Sequence, residues 1–231
     1  MKIMFSKNNI SKDINKSLSS FSDRTVKALK RNFKINTSDF SEELTVLGIN
    51  FEKQNQKPVL NKAAKKLAET IVSLGDNNLA GIVYSFLIKF NEGNAKLVEE
   101  LATNALAIAK RQHDPVHIMA RANDLKEIYN VVSPKSDKLL DVLYTEKRAL
   151  KDIVTNYDNV QKRHNTITKK MKPVGVYEVK LASVKYDIGK LLVDKDPNLA
   201  KSELQESMAI YEKYGVGPVY ENAKSLLEKL G

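Results

Sequence analysis

The sequence predicts an all-α fold built from consecutive helical hairpins, and three observations carry that reading. Apolar residues recur at intervals of three and four along most of the 231 residues, the period of an amphipathic helix. Each of the six prolines, Pro58, Pro115, Pro134, Pro173, Pro197 and Pro218, stands just before or at the start of such a run. There a fixed φ suits the helix and the missing N–H is one the first turn would leave unpaired anyway. Finally, no short stretch alternates clearly enough to define a strand.

Taken in order, the helices are expected over 59–74, 77–91, 95–112, 115–131, 136–171, 175–193, 197–214 and 217–230. Pro58 opens the first, and the turns SLGDNN and NEGN separate it from the next two. Asp114-Pro115 and Asp196-Pro197 pair a capping carboxylate with a first-turn proline, marking two further starts. The turn YGVG precedes Pro218 and the last helix. Residues 35–57 fit no helix well, and the run TVLGINF within them is compatible with a strand or an extended segment.

The segment 136–171 contains neither Gly nor Pro, and its apolar residues follow a heptad. One set is Leu143, Leu150, Tyr157, His164 and Met171; the other is Leu139, Glu146, Ile153, Val160 and Ile167. One continuous helix of this length spans about 52 Å. Its stripe packs inside the chain or forms a coiled-coil seam over 139–171 with a second copy, giving a homodimer. Asn156, Asn159 and Asn165 leave room for a break into two ordinary helices.

The net charge of +10 is uneven. Residues 1–34 carry nine basic side chains against Asp13 and Asp23, and 161–172 carry Lys162, Arg163, Lys169, Lys170 and Lys172 with no acid. On a helical wheel, Ile10, Ile14, Leu18, Phe21, Thr25, Ala28 and Leu29 share one arc, opposite Lys12, Lys16, Arg24, Lys27, Lys30, Arg31 and Lys34. Residues 1–50 therefore read as a basic, partly disordered N-terminal arm, and 51–231 as the helical domain. Four roles fit the arm: a helix docked on the body, a membrane-surface or groove ligand, a nucleic-acid arm, and a leader. The anion-binding candidates are Lys12, Lys16, Arg24, Lys27, Lys30, Arg31, Lys162, Arg163, Lys169 and Lys170.

Catalytic chemistry has little to stand on. The chain has no Cys, and only His113, His117 and His164, which removes thiolate nucleophiles, disulfides and Cys-based zinc sites. No P-loop, Gly-x-Gly-x-x-Gly or Gly-x-Ser-x-Gly motif occurs. His113 and His117 lie on either side of the turn at Asp114-Pro115, and the carboxylates of Glu42-Glu43 and Glu99-Glu100 are adjacent residues that point different ways. No catalytic residue, cofactor or metal site is expected. No apolar run suffices for a membrane-spanning helix or a secretory signal, so a cytoplasmic protein is expected.

An internal register at an offset of 102 residues aligns Ile82, Tyr84, Phe86 and Phe90 with Val184, Tyr186, Ile188 and Leu192, and residues 105–108 with 207–210. That offset is three times about 34 residues, the period of a tetratricopeptide unit. The stretches LATNALAIAKRQHDPVHIMARANDLKEIY and LAKSELQESMAIYEKYG resemble tetratricopeptide-repeat (TPR) helices, with Gly189 as the small residue of a first helix and Ala200, Leu204 and Ser207 as the small, large, small pattern of a second. The likeness covers 77–131 and 175–230 with degenerate repeats: there is no Trp-x-x-Leu-Gly run, and Leu87 stands where Gly189 lies in the other unit. The resemblance implies a TPR-like solenoid, to which the heptad segment 136–171, which does not divide into 34-residue units, adds one long central helix and the basic arm a flexible N-terminal segment. It further implies a non-enzymatic adaptor whose concave groove takes a peptide or protein partner. The matching groove positions are Tyr84, Lys89, His117, Arg121, Tyr186 and Lys190, which suit an acidic partner. A nucleic-acid or anionic-membrane binder, acting through the arm and residues 161–172, is the alternative.

Overall fold

The computed structural model describes residues 13–165 and 171–230. Among these the chain is all-α, with eleven helices and no strand. They are α1 (Ile14–Lys30), α2 (Thr37–Lys53), α3 (Lys57–Ser73), α4 (Asn77–Phe90), α5 (Ala95–Arg111), α6 (Pro115–Val132), α7 (Asp137–Thr155), α8 (Tyr157–Asn165), α9 (Val174–Leu192), α10 (Pro197–Tyr214) and α11 (Gly217–Leu230). Outside the 136–171 segment, the helices expected beyond residue 57 are found within two residues at each end. The chain divides into two units, residues 1–108 and 109–231, with the division falling inside α5.

In the first unit, α1 packs on α2 and α3, and α2 packs on α3 and α4. α3 and α4 pair most closely in this unit. Phe21 and Phe40, both fully buried with ring centroids 4.9 Å apart, join α1 to α2. The core continues through Leu44, Leu47, Phe51, Leu60, Leu67, Ile71, Val83 and Leu87. Burying one such side chain stabilises the fold by about 1.5–3 kcal/mol.

Two sequence readings are corrected here. Residues 35–57 contain the full helix α2, and residues 14–30, within the segment expected to be a partly disordered arm, form helix α1 with Ile14, Leu18, Phe21, Thr25 and Ala28 buried. The apolar arc of the wheel is thus a core face, as expected of a helix docked on the body. Sequence spacing at Phe40, Leu44, Leu47 and Phe51 is helical, but Thr45, Val46 and Ile49 are strand formers, and Gly48 is a poor helix former. Gly48 has a packing reason: a Cβ there would lie 2.8 Å from Phe86 Cζ.

In the second unit, α6–α7 and α9–α10 are hairpins, α7 packs on α9, and α11 packs on α10. The expected single long helix is broken. α7 ends at Thr155, Asn156 leaves helical geometry (φ −115°, ψ 29°), and α8 begins at Tyr157. Leu139, Leu143, Leu150 and Ile153 are buried within the chain, so the α7 part of the proposed coiled-coil stripe is already covered. The side chain of His164 and residue Ile167 lie outside the described residues. In the α9–α10 hairpin, Gly189 lets Leu204 approach so closely that a Cβ would sit 2.7 Å from Leu204 Cγ. Ala200, Leu204 and Ser207 are fully buried, and Ser207 Oγ donates to the Ala182 carbonyl at 2.8 Å. No described helix is long and apolar enough to cross a membrane.

Candidate functional site

α1 and α3 together line a groove of about 750 Å³. Leu18 and Val26 of α1 and Val59, Ala63 and Leu67 of α3 supply its apolar lining. Val59 is 47% exposed, which is high for so apolar a side chain. Lys27, Lys30, Arg31 and Lys66 also line it, against the carboxylate of Asp23, the single one among the described lining residues. The basic residues of α1 sit in its last turn and at its C-cap, where the helix dipole favours positive charge. The groove therefore offers apolar surface edged by cations.

Three of the predicted anion-binding residues, Lys27, Lys30 and Arg31, thus line one groove. Lys16 is exposed elsewhere on α1. Arg24 is ion-paired with Glu43 of α2, a side chain only 8% exposed, so it holds two helices together. Arg163 donates to the carbonyl oxygens of Gln112 at 2.6 Å and His113 at 3.4 Å, closing the turn after α5. Lys162 is exposed on α8, while Lys12, Lys169 and Lys170 lie outside the described residues.

The six predicted partner contacts fall in both units. Tyr84 is buried, and burial, then the charge of Glu69, pushes its phenol up. Lys89 instead lines a groove of about 470 Å³ between α2 and α4 with Ile49, Phe86 and Phe90. His117 and Arg121 share a face of α6. His117 Nδ1 lies 2.7 Å from Asp114 Oδ2, and Arg121 Nη1 lies 3.1 Å from Asp124 Oδ2. Burial works to raise the Asp114 carboxyl, but hydrogen bonds from His117 and from the N–H groups of His117 and Val116 outweigh it and bring it to about 2. Tyr186 and Lys190 share a face of α9, with Asp187 beside them, its carboxyl pushed up by burial against the opposing charges of Lys126 and Lys190. Among the described residues no cluster of His, Asp and Glu could hold a metal ion.

Sequence reasoning did not single out Val59, Ala63, Lys66 and Leu67. Their signal was present: Val59 follows Pro58 in the first turn of α3, and Lys66 flanks its apolar stripe. What was missing was the partner helix, because α1 was read as an arm.

No protein-family model matches the chain, and no curated protein matches it. Among solved structures the chain is similar to the crystal structure of BtubC (BKLC) from P. vanneervenii, at 12% identity and a TM-score of 0.29, across 95% of this chain and 93% of that one. What the helices themselves define is an all-α protein of helices packed in neighbouring pairs.

Proposed function

We propose that the chain is a cytoplasmic, non-enzymatic adaptor, a TPR-like helical stack that presents a groove to a peptide or protein partner rich in acidic side chains. The observation that supports this reading is the α1/α3 groove, where apolar Leu18, Val26, Val59, Ala63 and Leu67 lie beside Lys27, Lys30, Arg31 and Lys66. An amphipathic segment with carboxylates along one edge complements that combination: apolar side chains supply area, and the charges set orientation. The test is fluorescence anisotropy with three helical peptides that share an apolar face and carry Glu, Gln or Lys on the other. The Glu peptide is expected to bind most tightly. Val59→Asp and the double variant Lys27→Glu, Lys30→Glu should each weaken it by roughly tenfold or more. Equal affinity for the Glu and Lys peptides would overturn the proposal.

The second reading, binding of nucleic acid or an anionic membrane, is favoured by the same convergence of Lys27, Lys30 and Arg31. It requires phosphate contacts that persist at about 50 mM salt and weaken steeply as salt rises. Among the described residues no aromatic side chain lines this groove, so they offer no base-stacking platform there. Absence of duplex and single-strand binding at low salt, together with no retention on anionic vesicles, eliminates it.

A further inference from the structure

A second concentration of positive charge lies within residues 109–231, in a cleft of about 610 Å³. α7 lines it with Asp141, Tyr144, Thr145, Lys147, Arg148 and Lys151, and Lys110 enters from the last turn of α5. Tyr144, Lys147, Arg148 and Lys151 are spaced to share one face of α7.

Some other cations of the same unit are held by carboxylates. Lys126, Lys185, Lys195 and Lys213 each lie within 3.3 Å of a carboxylate. In the cleft only Lys147 is so held, by Glu203, with its ammonium 5.6 Å from the Tyr144 ring. Lys110, Arg148 and Lys151 are exposed and make no salt bridge among the described residues. Lys151 acts on Glu206 only through its field. Among the described residues Asp141 is the single carboxylate of the lining.

We infer that this cleft binds a phosphoryl group, carried by a small molecule or by a modified side chain of a polypeptide. Arg148 supplies the planar fork that takes two phosphate oxygens, and Lys110 and Lys151 supply point charges. Tyr144, like any phenol at neutral pH, keeps its hydroxyl proton and can donate; burial and then the charges of Glu203 and Asp196 push it further up. The volume falls within the roughly 300–1,000 Å³ of small-ligand sites, which leaves space for an organic part beside the Tyr144 ring. This site is independent of the α1/α3 groove.

The experiment is calorimetric titration of the full chain at constant ionic strength with inorganic pyrophosphate, a phosphoserine peptide and its unmodified serine counterpart. Both phosphoryl probes should bind and the serine peptide should not; the tighter of the two identifies the source. Arg148→Gln with Lys151→Gln, both exposed positions, should weaken binding by roughly tenfold or more, with circular dichroism unchanged. Lys27→Gln with Lys30→Gln should leave it intact. The inference is overturned if neither phosphoryl probe binds at about millimolar concentration, or if the α7 double variant binds as well as the parent.

Discussion

At Gly189 the α9 and α10 backbones approach so closely that a methyl group would meet both Leu204 Cγ at 2.7 Å and the Ala200 carbonyl at 3.2 Å. Gly189→Ala therefore overpacks the hairpin at a cost of about 1–3 kcal/mol, against a helix-propensity gain of about 1. Gly81 on α4 has nothing within 4 Å of the same position, so Gly81→Ala keeps the gain without the clash. Urea denaturation should move the two midpoints in opposite directions. A second residue prediction concerns Asp114, which caps α6 and bonds His117. Its folded-state carboxyl is held at about 2, below the ordinary 3.8. Its stabilisation is thus fully present above pH 3.8 and is lost as pH falls through about 2. Asp114→Ala should cost about 1–2 kcal/mol at neutral pH, and the difference from the parent should close in acid.

Among the elements, five helices end alike. Asn32, Asn55, Gly75, His113 and Gly215 take positive φ, and the N–H one residue later reaches back five residues to a helical carbonyl, as in Phe33 to Ala28 at 2.9 Å. Glycine marks two of these ends in the sequence, and there the boundaries were legible. At Asn32 and Asn55 the same geometry is adopted by asparagine, a weaker signal, and the reading failed around those residues. His113, at φ 50°, adopts that backbone without glycine's freedom; His113→Gly should raise the thermal midpoint, by up to about 1 kcal/mol of stability. The break at Asn156 is a further case. A heptad continues through it, because periodicity records which face is buried and not whether the helix axis is continuous. The sequence nevertheless offered Asn156 as a breaking point.

At the scale of the whole unit formed by residues 109–231, the hairpins are joined by charge as well as by apolar area. Lys185, 2% exposed, meets Glu203 at 3.3 Å and also pairs with Glu206, while Lys147 pairs with Glu203 from α7. Lys185→Ala leaves buried Glu203 with Lys147 as its remaining cation, so it should destabilise by about 1.5–3 kcal/mol, the range for a lost hydrogen bond to a charged group, measured by chemical denaturation. Nothing in the pattern of Lys and Glu along the chain distinguished these residues from solvated ones, since their pairing spans three helices. The same holds for the candidate groove. Its cations were visible as a basic stretch, and its apolar lining as parts of two amphipathic patterns, but their meeting depends on α1 packing against α3. The most direct test of the account is to measure affinity for the Glu-bearing amphipathic peptide before and after Val59→Asp. The account predicts binding that prefers Glu over Lys peptides and falls by roughly tenfold or more in the variant; binding that ignores peptide charge and is unchanged by Val59→Asp would contradict it.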